Sequence, residues 1–396
     1  MQNTPKGLRF QIAILGKVNA GKSSFLNLMT GQDTSIVSGE AGTTTDVVEK
    51  AQELHAFGPV LWLDTAGFGD QTSLSQKRMD KTLKVLERAD AAVLIYQDEG
   101  DDEKEIEALV NKKNIPLLKV FNKKEKCTVQ TNNNAVILNA LDTEKRLEAV
   151  AMVEKALLNI CRQDFGQQAM LGDLVPAGGL VVMIVPVDFE APKGRLILPQ
   201  VQAIRDCLDH NQMVMVCKET EYVQALSSLK QKPDLVVCDS QVVKFMIDHT
   251  PRDVKCTTFS VLMARLKGDV KTFAKGAKMI WKLEDGDKVL IAESCTHHAS
   301  DDDIGTVKIP ALMKKKTGKD LVFEHVSGCD FKPNLKDYKL IVQCGGCTQN
   351  RRAILSRIAA AIDAGVSITN YGICLSELNG VLDRVLEPFE MPEIDV

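Results

Sequence analysis

The stretch of sequence that decides the fold runs from residue 16 to residue 24 and reads Gly16-Lys17-Val18-Asn19-Ala20-Gly21-Lys22-Ser23-Ser24. An apolar strand pattern over residues 9–15 precedes it and a helical pattern over residues 23–29 follows it, which is the context of a phosphate-binding loop. The glycines let the backbone wrap a phosphate, Lys22 supplies positive charge for the β- and γ-phosphates, and the Ser23 hydroxyl can bind Mg²⁺. The loop predicts a nucleotide site formed by Gly16, Asn19, Ala20, Gly21, Lys22, Ser23 and Ser24.

Four motifs downstream occur in the order that a GTP-binding domain requires. They are Gly42-Thr43-Thr44-Thr45-Asp46, Asp64-Thr65-Ala66-Gly67, Asn122-Lys123-Lys124-Glu125 and Asn139-Ala140. Thr44 would contact Mg²⁺ and the γ-phosphate, Asp64 would hold Mg²⁺ through water, and the Gly67 amide would sense the γ-phosphate. We therefore predict catalytic roles for Lys22, Thr44, Asp64 and Gly67. The further nucleotide contacts that we predict are Thr43, Thr44, Asp64, Gly67, Asn122, Lys123, Glu125, Asn139 and Ala140.

This set of motifs resembles the translation-factor-related GTPases, and residues 19–24 with residues 42–44 look most like the potassium-activated tRNA-modification branch. In that branch an asparagine at the position of Asn19 helps to bind K⁺, which serves in place of an arginine finger. The resemblance therefore implies a K⁺ ligand at Asn19. Two departures bear on activity: Glu125 stands where the base-recognition motif usually has aspartate, and no glutamine follows Gly67 to orient water. We expect looser guanine specificity and slow hydrolysis that needs K⁺, dimerisation or a partner.

Composition places the chain among ordinary soluble globular proteins. It has 396 residues, of which 44% are hydrophobic and 26% charged, and its formal net charge is −4. A slightly acidic chain lacks the excess of positive charge that is typical of a dedicated nucleic-acid-binding protein. The longest apolar run, residues 180–187, is far shorter than the roughly 20 residues of a membrane helix, so we expect a cytoplasmic protein.

Strand and helix patterns alternate along the whole chain, which predicts an α/β fold. The predicted strands cover residues 60–63, 91–96, 116–121, 135–138, 181–185, 213–217, 235–238, 288–292, 321–325 and 340–343. The clearest helical patterns cover residues 77–88, 103–112 and 349–364. The expected architecture is an N-terminal P-loop GTPase domain followed by two smaller α/β domains.

Cysteines at the spacing of metal ligands occur only in the last third of the chain. They are found in Cys295-Thr296-His297-His298 and in Cys344-Gly345-Gly346-Cys347, each just beyond a predicted strand. Glycines between two cysteines allow both thiolates to converge on one metal ion or cluster. By spacing alone this could be a zinc site, an iron–sulfur site or a set of scattered core cysteines.

A GTPase domain followed by this cysteine pattern resembles the HydF family of [FeFe]-hydrogenase maturation GTPases. The resemblance implies a P-loop GTPase domain over residues 1–170, an α/β dimerisation domain over residues 171–260 and a cluster-binding α/β domain over residues 261–396. It also implies that Cys295, Cys344 and Cys347 bind a [4Fe–4S] cluster. The family has histidine directly before the Cys-x-x-Cys pair, but this chain has Gln343. We name His297 and Asp302 as hypotheses for the fourth ligand; the alternatives are His298, Asp301, Asp303 and water.

The same resemblance implies a homodimer that receives a diiron subcluster precursor from the radical enzymes HydE and HydG and hands it to apo-[FeFe]-hydrogenase. The cofactors expected are GTP or GDP, Mg²⁺, K⁺ and the [4Fe–4S] cluster. Two other classes of function remain open from the residues alone. One is an RNA-modifying GTPase with a structural zinc site, and the other is a regulatory GTPase switch that acts through protein contacts.

Overall fold

A computed structural model of the chain describes residues 4–31, 48–65, 74–132, 135–161, 169–187, 196–294, 303–328 and 334–389. The chain folds into two compact units, Met1–Gln167 and Gln168–Val396. The predicted domain limits at residues 170 and 260 stay predictions.

The first unit is built on a sheet of seven described strands in the order β2-β3-β1-β4-β5-β7-β6. The two edge strands, β2 and β6, run antiparallel to their neighbours and the other pairings are parallel. The strands are β1 (Phe10–Leu15), β2 (Val48–Leu54), β3 (Gly58–Asp64), β4 (Ala91–Tyr96), β5 (Leu117–Asn122), β6 (Gln130–Asn132) and β7 (Ala135–Leu138). The helices are α1 (Lys22–Thr30), α2 (Leu74–Arg88), α3 (Asp101–Lys112) and α4 (Arg146–Cys161).

Apolar residues bury the central strands of this sheet on both faces. Every residue of β4 is buried, as are the last five residues of β1, which is typical of parallel strands covered by helices. Ile12 and Ile14 pack into one core with Trp62, and Ala13 and Leu15 pack into a second core. Because successive side chains of a strand point to opposite faces, the two cores lie on opposite sides of the sheet. Trp62 is fully buried, and its Nε1 donates to Gln52 Oε1 at 2.7 Å.

The second unit contains two parallel sheets of four described strands each, in the orders β11-β10-β8-β9 and β13-β12-β14-β15. The strands are β8 (Leu180–Ile184), β9 (Met213–Cys217), β10 (Leu235–Cys238), β11 (Lys255–Thr258), β12 (Lys288–Glu293), β13 (Val322–Ser327), β14 (Leu340–Gln343) and β15 (Ser367–Asn370). The helices are α5 (Leu198–Asp209), α6 (Tyr222–Ser228), α7 (Val243–His249), α8 (Phe259–Lys267), α9 (Val270–Lys278), α10 (Ile309–Thr317), α11 (Arg351–Asp363), α12 (Tyr371–Leu378) and α13 (Leu382–Leu386).

The two sheets of the second unit share one hydrophobic core. Val182 of β8 and Val236 of β10 belong to the same buried cluster as Leu290 of β12 and Ile341 of β14. The second tryptophan of the chain, Trp281, lies in this unit and is half exposed. The described part of the chain has no helix both long and apolar enough to cross a membrane.

The α/β class predicted from the sequence is confirmed, and β1, the phosphate loop and α1 follow one another in the predicted order. All eleven predicted strands, including the one over residues 9–15, are present, with limits that differ by no more than two residues. The helical pattern predicted from residue 349 begins two residues later, because Asn350 caps it: Asn350 Oδ1 accepts from Ala353 N at 3.3 Å.

Candidate functional site

The phosphate loop joins β1 to α1, and two of its positions require glycine. Gly16 has φ +144°, and a Cβ there would lie 2.3 Å from the carbonyl oxygen of Ile95. Gly21 has φ +95°, and a Cβ there would lie 2.2 Å from Asn122 Nδ2. Residues with a side chain rarely adopt these backbone conformations. Both the φ angles and the lack of space for a Cβ therefore favour glycine at these two positions. Asn19 also has a positive φ, of 66°, which asparagine tolerates better than most residues.

Lys22 begins α1, and its ammonium group lies inside the loop. Lys22 Nζ donates to the carbonyl oxygen of Gly16 at 3.1 Å and to that of Lys17 at 2.7 Å. Burial lowers the pKa of Lys22, an effect that the nearby Asp64 carboxylate opposes. The loop therefore holds a buried positive charge at the point where the sequence predicts phosphate binding.

Ser23 and Asp64 place oxygen atoms beside this charge. Ser23 Oγ lies 3.4 Å from Asp64 Oδ2 at the end of β3. The second carboxylate oxygen, Asp64 Oδ1, is buried and has no hydrogen-bond partner among the described residues. Burial raises the pKa of Asp64, whereas Lys22 and Ser23 lower it. A hydroxyl and a carboxylate with a free buried oxygen fit the preference of Mg²⁺ for hard oxygen donors.

Asn122 at the end of β5 links the base-recognition motif to the phosphate loop. Its Nδ2 donates to the carbonyl oxygen of Ala20 at 3.0 Å, and its Oδ1 accepts from Ala140 N at 3.0 Å. Asn139 is also buried, and its Oδ1 accepts from Leu141 N at 2.8 Å. The structure thus brings together three motifs that are separate in the sequence.

The two predicted base contacts that follow Asn122, Lys123 and Glu125, are exposed. Lys123 holds its backbone in place by donating from its amide to the carbonyl oxygen of Leu138 at 2.8 Å, but its side chain faces solvent. Glu125 is exposed as well. Both positions are open to a ligand that approaches from solvent.

An ion pair that the sequence reasoning missed ties the phosphate loop to α3. Lys17 Nζ lies 2.9 Å from Glu103 Oε2 and 3.4 Å from Asp102 Oδ2. Glu103 is itself buried and accepts from Gly100 N at 2.9 Å, which caps α3. The hydrogen bond to Glu103 raises the pKa of Lys17. The pair joins residues far apart in the sequence, so no local pattern indicated it.

Several predicted site residues lie outside the described residues. In the GTPase domain they are Thr43, Thr44 and Gly67. At the cysteine site they are Cys295, His297, His298, Asp301 and Asp302. Their predicted roles stay predictions.

Cys344 and Cys347 follow β14 at the carboxyl end of its sheet, where β12 also ends. Cys344 Sγ accepts a hydrogen bond from Ser294 N at 3.1 Å and lies 3.2 Å from Ser294 Oγ. Ser294 is the residue before Cys295, so the last described residue ahead of the first predicted cysteine segment contacts Cys344. Cys347 is half-buried against the core of the β8 sheet, and burial raises the pKa of its thiol.

A buried lysine lies beside these cysteines, and the sequence reasoning missed it too. Lys267, the last residue of α8, is only 3% exposed. Its Nζ donates to the carbonyl oxygens of Gly346 at 3.1 Å, Cys347 at 3.1 Å and Gln349 at 2.6 Å. Burial lowers the pKa of Lys267 to about 8, while Cys347 and Cys344 act in the opposite direction.

Of the candidates for the fourth ligand, Asp303 lies among the described residues, as does Gln343, which stands where the family has histidine. Asp303 is buried, and its carboxylate accepts from Thr306 N at 2.7 Å and from Thr306 Oγ1 at 2.9 Å. It therefore caps the helical turn at residues 304–308 rather than facing solvent like most acidic runs. Gln343 is buried at the end of β14, and its Oε1 has no hydrogen-bond partner among the described residues.

Three family models match successive parts of the chain. A 50S ribosome-binding GTPase model matches residues 11–123. The hydrogen maturase F dimerization domain matches residues 170–268, and the hydrogen maturase F tetramerization domain matches residues 271–388. The two hydrogen maturase F domains together cover more than half of the chain.

Two curated relatives each match about a third of the chain. GTPase Der of Wolinella succinogenes is 37% identical over 31% of this chain and 27% of its own length. The tRNA modification GTPase MnmE of Mycoplasma mobile is 37% identical over 32% of this chain and 29% of its own length. The chain thus spans under a third of these relatives. Among solved structures, a variant of Aquifex aeolicus Era bound to GDP.AlF4- is 20% identical to this chain. The match covers 54% of this chain and 97% of that chain, and its TM-score is 0.31.

Proposed function

The chain belongs to the hydrogen maturase F family, and from this we propose that it is a GTP-hydrolysing scaffold that carries an iron–sulfur cluster in hydrogenase maturation. One observation supports the proposal above the others. A GTPase domain and both hydrogen maturase F domains occur in a single chain, with Cys344 and Cys347 three residues apart in the last of them.

At the nucleotide site, the described residues account for binding and positioning. The amides of the phosphate loop and the Lys22 ammonium would hold the β- and γ-phosphates. Ser23 and Asp64 would hold Mg²⁺, which supplies charge neutralisation for phosphoryl transfer. Asn122 keeps the base-recognition motif against the loop, so the guanine base and the phosphates are read by one rigid assembly. Thr43, Thr44 and Gly67 would complete the site.

We also propose that hydrolysis is stimulated by K⁺ through Asn19. The side chain of Asn19 is exposed on the phosphate loop and sits on a backbone of positive φ. An amide oxygen at this position can ligate a monovalent cation beside the phosphates. Because no glutamine follows Gly67, the added positive charge would take the place of a missing catalytic group.

At the cysteine site, Cys344, Cys347 and Cys295 would hold a [4Fe–4S] cluster. The donor set fits, because thiolates are the usual ligands of such clusters and an amide hydrogen bond to Cys344 Sγ stabilises a thiolate. A fourth ligand of the cluster would come from His297, Asp302 or water. Ser294 N holds the sulfur of Cys344, and Cys347 packs half-buried against the core of the β8 sheet.

The partners follow from the family. We propose that the chain forms a homodimer through residues 170–268 and that it receives a diiron subcluster precursor from HydE and HydG. It would then deliver this cargo to apo-[FeFe]-hydrogenase. The nucleotide state of the first unit would regulate these exchanges through the switch segments.

Anaerobic purification followed by reconstitution with iron and sulfide tests the proposal. Reconstituted wild-type protein should be brown and should contain iron and sulfide. The Cys344→Ser and Cys347→Ser variants should contain much less of both. Cys217→Ser, at a half-buried cysteine of the same unit, is the control and should keep the cluster. A colourless wild-type protein that holds only zinc would refute the cluster and favour a structural metal site.

A further inference from the structure

The end of α8 and the loop after β14 bind each other's backbone through two cationic side chains. Lys267 donates to the carbonyl oxygens of Gly346, Cys347 and Gln349 in the loop. In the opposite direction, Arg351 Nη1 at the start of α11 donates to the carbonyl oxygens of Leu266 at 3.0 Å and Gly268 at 3.2 Å. We call this set of five hydrogen bonds the α8 clamp.

The three partners of Lys267 use all the hydrogen-bonding capacity of its ammonium group. A lysine has three donor protons, and each meets one carbonyl oxygen. The side chain is therefore held in one place, and it fixes three residues of a four-residue stretch of the loop. Cys347 lies within that stretch, so its position depends on Lys267.

A negative charge beside Lys267 would stabilise its buried ammonium group. A buried ammonium group loses its hydration, and its described hydrogen-bond partners are neutral carbonyl oxygens. The groups that act electrostatically on it are the thiols of Cys347 and Cys344. Thiolates bound to a cluster would supply the negative charge that offsets the buried positive one.

We propose that Lys267 is a positioning residue of the cluster site, which holds the loop of Cys347 in place and sets a positive charge beside the thiolate ligands. The inference rests on the proposed cluster. It also links two domains, because α8 lies in the region of the dimerization model and Cys347 in that of the tetramerization model. A movement of α8 would reach the cluster through the clamp.

Two measurements on the full chain test this role. The first is an anaerobic redox titration, followed by EPR, of reconstituted wild-type, Lys267→Met and Lys267→Arg proteins. Lys267→Met should shift the reduction potential of the cluster to a more negative value, because a nearby positive charge favours the reduced, more negative cluster. Lys267→Arg keeps the charge and should restore a potential close to that of the wild type.

The second measurement is hydrogen exchange of the metal-free protein over residues 344–350. Loss of three hydrogen bonds in Lys267→Met should speed exchange in this segment by about tenfold or more. The control, Lys275→Met, removes an exposed lysine of α9. It should change neither the reduction potential of the cluster nor the hydrogen exchange of residues 344–350. If Lys267→Met does not fold, Lys267→Gln removes the charge with a milder change and serves in both measurements.

The possible results separate the two proposals. A wild-type cluster with an unchanged potential and unchanged exchange in Lys267→Met overturns the role of Lys267 and leaves the cluster intact. A wild-type protein that takes up no iron refutes the cluster itself. In that case the exchange measurement alone decides whether Lys267 holds the loop.

Discussion

The side-chain amide of Asn122 donates a hydrogen bond to the carbonyl oxygen of Ala20 across 3.0 Å. The same side chain accepts from Ala140 N, so one buried residue holds the phosphate loop and the last nucleotide motif together. The geometry of the nucleotide site therefore depends on a residue whose usual role is described as contact with the base. Its structural role can be separated from ligand contact by measuring the protein without nucleotide.

Asn122→Ala should destabilise the first unit by about 2 to 3 kcal/mol, because it removes two hydrogen bonds and leaves two buried backbone groups unpaired. Urea unfolding of the nucleotide-free protein measures the loss. Asn122→Asp keeps the acceptor for Ala140 but places a buried carboxylate oxygen against the Ala20 carbonyl oxygen, so its loss should be at least as large. Equal stability of all three proteins would show that the link is not formed in solution.

Gly16→Ala should destabilise the first unit by at least about 2 kcal/mol, since the backbone is strained and the added Cβ meets the Ile95 carbonyl oxygen. Gly58→Ala is a matched control in the same unit. Gly58 has φ +68°, but a Cβ there has open space, with Glu53 Oε1 at 3.9 Å as the nearest atom. This control should cost only about 1 kcal/mol for the left-handed backbone. Thermal or urea unfolding of both variants gives the comparison, and similar losses would contradict the close approach to Ile95.

Asn19→Gly should abolish the stimulation of GTP hydrolysis by K⁺. Glycine adopts the positive φ of Asn19 freely, so the loop keeps its path and only the amide is lost. Hydrolysis rates in KCl and NaCl at equal ionic strength measure the effect. The wild type should be faster in KCl, and the variant should have the same rate in both salts. Stimulation that survives in the variant would assign the K⁺ site to other residues.

Asp173→Asn should lose stability at neutral pH but much less in acid. Asp173 forms a bidentate ion pair with Arg265 of α8, and the Arg265 guanidinium lowers the pKa of Asp173 from its usual 3.8. Because the carboxylate is favoured in the folded state, its stabilisation is fully present above pH 3.8 and disappears as the pH falls through the lower folded value.

Urea midpoints of the wild type and Asp173→Asn, compared between about pH 6 and about pH 3, measure this effect. The gap between the two proteins should narrow towards acid. Asp337→Asn, at an exposed carboxylate of the same unit, is the control. A gap that does not change with pH would mean that the ion pair contributes nothing to folding.

The sequence predicts the strands that are apolar and misses those that are polar. β4 reads as a continuous apolar run and its limits are predicted to the residue, because every position is buried between two layers. β2 reads Val-Glu-Lys-Ala-Gln-Glu-Leu, and only its pairing with β3 makes it a strand. β11 and β15 are four residues long and rich in Thr, Ser and Asn, so a window along the chain contains no periodic signal for them.

The candidate sites divide in the same way. Gly16, Lys22 and Asn122 belong to local motifs, so their grouping is predictable from spacing and order. The position of Lys267 is not predictable in this way. A lysine at the end of a helix usually faces solvent, and only the tertiary fold buries this one. The ion pair between Lys17 and Glu103 depends on the same kind of long-range contact.

Each compact unit carries one tryptophan, and the two differ in environment. Trp62 is enclosed in the first unit and Trp281 is half exposed in the second. The chain therefore contains two natural optical reporters, with emission expected at shorter wavelength from Trp62. Trp281→Phe would leave a protein whose fluorescence follows the GTPase domain alone, and Trp62→Phe one that follows the unit of the cysteines. Nucleotide titrations and cluster assembly could then be watched separately in an unlabelled chain.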